Sequence, residues 1–64
     1  MNDKDQEMLI ADGWFRAVDN HTDYVWLIKN QETPKRFWAI EEKTIDDSGL
    51  SGAELRSWLS NQFL

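Results

Sequence analysis

Near the middle of the chain stand Tyr24-Val25-Trp26-Leu27-Ile28, five consecutive residues without a charged side chain. Aromatic and β-branched residues favour extended backbone. Successive side chains of a strand point to opposite faces of its sheet, so this run places apolar groups on both faces. We therefore predict that it forms the central strand of a sheet.

Two similar runs flank the central one, at residues 14–18 and 37–40. Polar segments of the kind that form turns separate them, at residues 19–23 and 30–35. This order predicts a three-stranded antiparallel β-meander over residues 13–45. We expect the third strand to continue to Ile45, with Ile40 and Glu42 on one face and Glu41 and Ile45 on the other.

The C-terminal segment carries a helix signal. Ser51 and Glu54 have the spacing of a capping box, in which each side chain accepts a hydrogen bond from the backbone of the other. Four apolar residues then repeat at helical spacing, namely Leu55, Trp58, Leu59 and Phe63. The pattern predicts a helix over residues 51–63 that packs on the sheet.

Residues 1–12 allow three interpretations: a short helix capped by Asp3, a frayed segment, or an extension of the first strand. We favour the helix or the frayed segment. The predicted fold is therefore a single α+β domain, a three-stranded meander packed by a C-terminal helix, with an N-terminal helix as an addition.

Composition limits the classes of function. The 64-residue chain has no cysteine and one histidine, which excludes disulfides and thiolate zinc sites, so we expect no metal and no cofactor. Four Trp, three Phe and one Tyr must supply most of the core. Neither a signal peptide nor a membrane-spanning run is visible, so we expect a cytoplasmic protein that does not enter membranes.

The net charge of -5 is unevenly distributed. Residues 1–12 and 41–54 are strongly acidic, whereas residues 13–40 carry four cations against three carboxylates. We interpret the second block as an acidic edge that binds a basic partner, formed by Glu41, Glu42, Asp46, Asp47 and Glu54. The alternative interpretation is a solvated surface that maintains solubility.

The central strand offers more apolar surface than one helix can cover. We expect Tyr24, Trp26 and Trp38 to form an aromatic sheet face available for binding. The N-terminal segment, a second copy of the chain or a partner protein could each cover it. We favour self-association or a partner.

These features favour a non-enzymatic protein that binds or inhibits another protein, such as a DNA mimic that occupies a nucleic-acid-binding surface. The alternative is a nucleic-acid-binding module that uses Arg16, Arg36 and the Trp side chains, which the negative charge disfavours. An enzyme ranks third, because His21 between Asp19 and Asp23 could act as a general base but lacks an evident nucleophile.

The predicted order of helix, three strands and helix resembles that of double-stranded-RNA-binding domains. Their activity is not implied here, since the final helix begins Ser51-Gly52-Ala53-Glu54 and lacks the basic cluster of that family. Small size, acidity and aromatic content also resemble those of small phage proteins that inhibit host enzymes. That resemblance implies an inhibitor without identifying its target.

Overall fold

The computed structural model describes residues 1–20, 23–30 and 36–63, the last without its side chain. Within these ranges the chain forms a three-stranded sheet and three helices. Their order is α1 (Asp3–Ala11), β1 (Phe15–Val18), β2 (Tyr24–Lys29), β3 (Phe37–Glu41), α2 (Glu42–Ser48) and α3 (Gly52–Phe63). The predicted α+β fold is confirmed, with an N-terminal helix and one helix more than the sequence indicated.

The sheet is an antiparallel meander with β2 at its centre. Trp26 lies opposite Arg16 on β1 and Ile40 on β3, whereas Leu27 lies opposite Phe15 and Ala39. Because side chains alternate along a strand, the first set and the second set occupy opposite faces.

All three helices contribute to a core on the Trp26 face. Trp26 is fully buried, together with Leu9 of α1, Ile45 of α2 and Leu55 of α3. Leu59, Trp14 and Ile40 complete the buried cluster. The domain therefore has two layers, with helices on one face of the sheet.

The prediction that β3 continues to residue 45 was wrong, because helix α2 takes the place of its second half. The strand ends at Glu41, and the next seven residues are helical. Ile45 reaches the core from this helix, at 1% exposure. The helix ends at Gly49, whose φ of 70° places it in the left-handed region that glycine adopts without steric cost.

The start of α3 agrees with the prediction to within one residue, but a different side chain caps it. The backbone N–H of Gly52 donates to Oδ1 of Asp5, on α1, at 2.9 Å. Among the described residues, the Ser51 hydroxyl and the Glu54 carboxylate show no hydrogen bond, so the expected capping box is replaced by a contact between helices.

A second polar contact joins the same two helices. Arg56 of α3 donates to both carboxylate oxygens of Asp12, which follows α1, at 2.7 and 3.1 Å. Helix α1 is itself capped by the side chain of Asn2, which accepts from the backbone N–H of Asp5. The N-terminal segment is therefore an integral part of the helical layer.

Candidate protein-binding surface

Antiparallel topology gathers carboxylates at one end of the sheet. The end of β1, the start of β2 and the end of β3 lie side by side, as the pairs Val18–Tyr24 and Val25–Glu41 show. Helix α2 continues from the same place. We call this region the acidic end and define it by six residues: Asp19, Asp23, Glu41, Glu42, Asp46 and Asp47.

A groove of about 360 Å³ opens at the acidic end. Its lining contains four carboxylates, one lysine and one aromatic ring, contributed by Asp23, Tyr24, Glu41, Glu42, Lys43 and Asp46. Three residues of the predicted acidic edge, Glu41, Glu42 and Asp46, thus lie together here.

Glu42 is half-buried and already has partners within the chain. Its Oε1 accepts from Nε1 of Trp26 at 3.1 Å, and its Oε2 accepts from Nη2 of Arg16 at 2.8 Å. The guanidinium of Arg16 also lies over the Tyr24 ring, 3.5 Å from its centroid. Glu42 therefore anchors α2 to the sheet, and its charge is largely balanced internally.

Asp46 is partly balanced by the chain terminus. Its Oδ1 lies 2.9 Å from the α-amino nitrogen of Met1, and its own side chain is 45% exposed. The hydrogen bond to this carboxylate raises the pKa of the Met1 amine above its ordinary value, although desolvation acts in the opposite direction. Asp46 thus both lines the groove and holds the N-terminus against α2.

Three other carboxylates of the acidic end are available to contact a partner. Asp23, Glu41 and Asp47 are exposed, and their side chains make no ion pair with any described residue. Asp47 lies one helical turn beyond Lys43 on the same face of α2. These three side chains carry the negative potential that a partner would meet first.

Glu54 lies apart from the rest of the predicted acidic edge. It lines a separate groove of about 490 Å³ along α3, together with Leu50, Ala53, Ser57, Trp58 and Asn61. The structure therefore divides the predicted edge: Glu41, Glu42 and Asp46 line the groove at the end of the sheet, Asp47 lies in the last turn of α2, and Glu54 lies on α3.

The predicted aromatic face needs a larger correction. Trp26 is fully buried beneath the helices and cannot contact a partner. Tyr24 and Trp38 share its face but lie toward the margins, at 45% and 37% exposure.

The face that the described helices leave open carries different aromatic residues. Phe15 and Phe37 are 45% and 52% exposed there, and their rings meet edge to face with centroids 5.6 Å apart. Half-buried Leu27 and Val25 lie between the outer strands. Sequence reasoning missed both Phe residues, although each is one position away from a Trp and so alternates to the opposite face.

His21 lies outside the described residues. Among the residues that are described, no group of three metal-binding side chains comes together, and no helix is long and apolar enough to cross a membrane. Comparisons with protein-family models, curated proteins and solved structures found no match.

Proposed function

We propose that this protein is a non-enzymatic binding protein whose acidic end engages a basic surface of another protein. The observation that carries the proposal is the concentration of carboxylates at one end of the sheet, with Asp23, Glu41 and Asp47 exposed. A field of one sign accelerates association with a partner of opposite charge and orients it.

The narrower form of the proposal is a phage-type inhibitor that acts in the cytoplasm as a mimic of DNA. Such a protein presents carboxylates where a nucleic acid presents phosphates, and it occupies the basic channel of a host protein. The net charge of -5 supports this form, as does the location of the acidic end at an exposed edge of the fold.

The nucleic-acid-binding alternative loses several of the residues on which it depended. Arg16 pairs with Glu42 and stacks on Tyr24, while Trp14 and Trp26 are buried. Base stacking needs exposed rings with cations beside them. Arg16, Trp14 and Trp26 therefore serve the fold, which leaves Arg36 and Trp38 as the exposed members of the predicted set.

Two variants with equal charge test the proposal. Asp23→Asn with Asp47→Asn neutralises the acidic end, and Glu7→Gln with Glu54→Gln neutralises two exposed carboxylates of α1 and α3. Both changes remove two negative charges, from -5 to -3, so they separate local from global charge. Neither pair of side chains makes an ion pair with a described residue.

The measurement begins with capture of a partner from the native cell on the immobilised protein, followed by stopped-flow association with the purified partner. We expect the acidic-end variant to associate about tenfold more slowly at low salt, and the α1/α3 variant to keep most of the wild-type rate. Duplex DNA should compete for the partner.

Equal rates for both variants would show that the charges act only in solubility. Tight retention of the protein itself on immobilised nucleic acid at moderate salt would also contradict the proposal, because a chain of this charge should be repelled.

A further inference from the structure

Among the paired strand residues that the structure describes, those on the open face are apolar except for one cation, Lys29, and one carboxylate, Glu41. Antiparallel pairing arranges it in three rows across the strands. The first row contains Ala17, Val25 and Glu41, the middle row Phe15, Leu27 and Ala39, and the third Lys29 and Phe37. Lys29 and Glu41 therefore lie at opposite ends of an apolar patch.

We propose that a second copy of this chain covers the open face, with the two sheets stacked around a two-fold axis that runs along the middle row. A symmetric dimer buries the same patch on both subunits, and stacked sheets lie about 10 Å apart with their side chains interdigitated. Leu27 of each copy then meets Leu27 of the other. Phe15 and Phe37 flank this contact.

The charges of Lys29 and Glu41 favour a two-fold axis along the middle row. An axis along the middle row reverses the strands of the second copy, so the row with Lys29 stacks on the row with Glu41. Lys29 then lies about one strand spacing, roughly 4.8 Å, to the side of Glu41 of the second copy. Two such pairs form by symmetry.

A symmetric stacking with its two-fold axis parallel to the strands is disfavoured by the same charges. An axis parallel to the strands would place Lys29 of one copy on Lys29 of the other, and like charges in an interface oppose association. Within one chain the two residues cannot pair, because Glu41 lies beside Val25, four residues or about 13 Å along β2 from Lys29.

The size of the face sets the strength of the dimer. Three strands of about five residues cover roughly 14 by 17 Å, so each copy buries less than the roughly 800 Å² per partner of a standard stable interface. The dimer should therefore dissociate reversibly on dilution. A long single-stranded nucleic acid is a poorer occupant, since Lys29 is the one cation among the described residues of the face and Glu41 would repel phosphates.

Variants that reverse the charges of Lys29 and Glu41 test whether these residues pair across the dimer. Sedimentation equilibrium at several protein concentrations measures the dimer dissociation constant of each variant. We expect Lys29→Glu and Glu41→Lys each to raise the dimer dissociation constant about tenfold. The double variant Lys29→Glu with Glu41→Lys should restore it to within about threefold of wild type. Lys4→Glu, which makes the same charge change on α1, serves as the control and should leave dimerisation nearly unchanged.

Phe37→Ser provides an independent test of the apolar contact, and circular dichroism of each variant verifies the fold. Because Phe37 is exposed, its substitution should raise the dimer dissociation constant at least about tenfold while the helical signal is retained.

A wild-type protein that stays monomeric at the highest concentrations would overturn the proposal, as would a dimer insensitive to Lys29→Glu. Binding of oligo(dT) that Phe37→Ser abolishes would assign the face to nucleic acid instead. The dimer shares one residue, Glu41, with the acidic end, but the variants at Asp23 and Asp47 leave Lys29, Glu41 and the three rows unchanged, so the two proposals are tested separately.

Discussion

At the scale of single residues, Glu42 does the most to connect sheet and helices. It accepts hydrogen bonds from the fully buried Trp26 ring and from Arg16, and it begins α2. An acidic residue in the first helical turn is also favoured by the helix dipole. One carboxylate thus satisfies a buried donor, balances a cation and starts a helix.

We predict that Glu42→Ala lowers the free energy of unfolding by about 1–3 kcal/mol, because the Trp26 N–H loses its acceptor in a buried position. Glu42→Gln keeps an acceptor oxygen and should cost less. Urea unfolding followed by Trp fluorescence measures both.

The neighbouring residue provides the control. Glu41 is exposed and makes no ion pair with a described residue, so Glu41→Gln should change stability by less than about 0.5 kcal/mol. Equal effects of Glu41→Gln and Glu42→Ala would contradict the structural role of Glu42.

At the scale of elements, α3 supplies two residues of the buried core. Leu55 is fully buried and Leu59 is 3% exposed, both against the sheet and α1. Trp58 packs on the edge of the same cluster and remains half-exposed. The helical periodicity in the sequence therefore identified three residues of the packed face, and the side chain of the fourth, Phe63, lies outside the described part of the chain.

We predict that Leu59→Ala costs roughly 2–5 kcal/mol, because removal of a buried side chain leaves a cavity. A domain of this size has a total stability on the order of 3–10 kcal/mol, so much of the variant should be unfolded. Thermal unfolding followed by circular dichroism measures the loss.

Asn61→Ala, at an exposed position of the same helix, provides the control and should shift stability by less than about 0.5 kcal/mol. A Leu59→Ala variant as stable as wild type would refute the packing of α3 on the sheet.

At the scale of the whole molecule, two polar contacts join the N-terminal segment to later helices. The Met1 amine lies against Asp46 of α2, and Asp5 of α1 caps α3. The chain therefore closes its N-terminal segment onto both later helices. This closure brings a positive charge next to the acidic groove.

The pair between Met1 and Asp46 predicts a pH dependence. Because the folded-state pKa of the amine is raised above 8.0, the pair contributes its full stability below that value and loses it as the pH rises through the raised pKa. Between about pH 7 and about pH 10, we expect the wild-type chain to lose more stability than the Asp46→Asn variant loses. Urea midpoints at both pH values measure this difference.

Asp47→Asn is the matched control, since this exposed neighbour makes no ion pair with a described residue. It should retain the wild-type pH dependence. Identical pH profiles for wild type and Asp46→Asn would show that the amine contributes nothing to folding stability.

The sequence around α2 was ambiguous between a strand and a helix. We predicted a strand for residues 40–45, but a strand would put Ile40 and Ile45 on opposite faces, whereas a helix places Glu42 and Ile45 on one side. Gly49 was the available signal, because glycine after a short polar segment commonly ends a helix. Glu41, Glu42 and Asp46 were predicted to lie together, whereas the separation of Glu54 depends on how α3 packs.

The sequence by itself determined the three strands, the last helix and the α+β class, because these depend on residue preference and periodicity over short distances, whereas the first helix was one of three interpretations that residues 1–12 allowed. Tertiary structure decided which face of β2 is buried, since alternation separates Trp26 from Leu27 without telling which of them meets the helices. It also decided the contact of Asp5 with Gly52, 47 residues apart. Such choices arise only when packing brings distant segments together, and no local pattern encodes them.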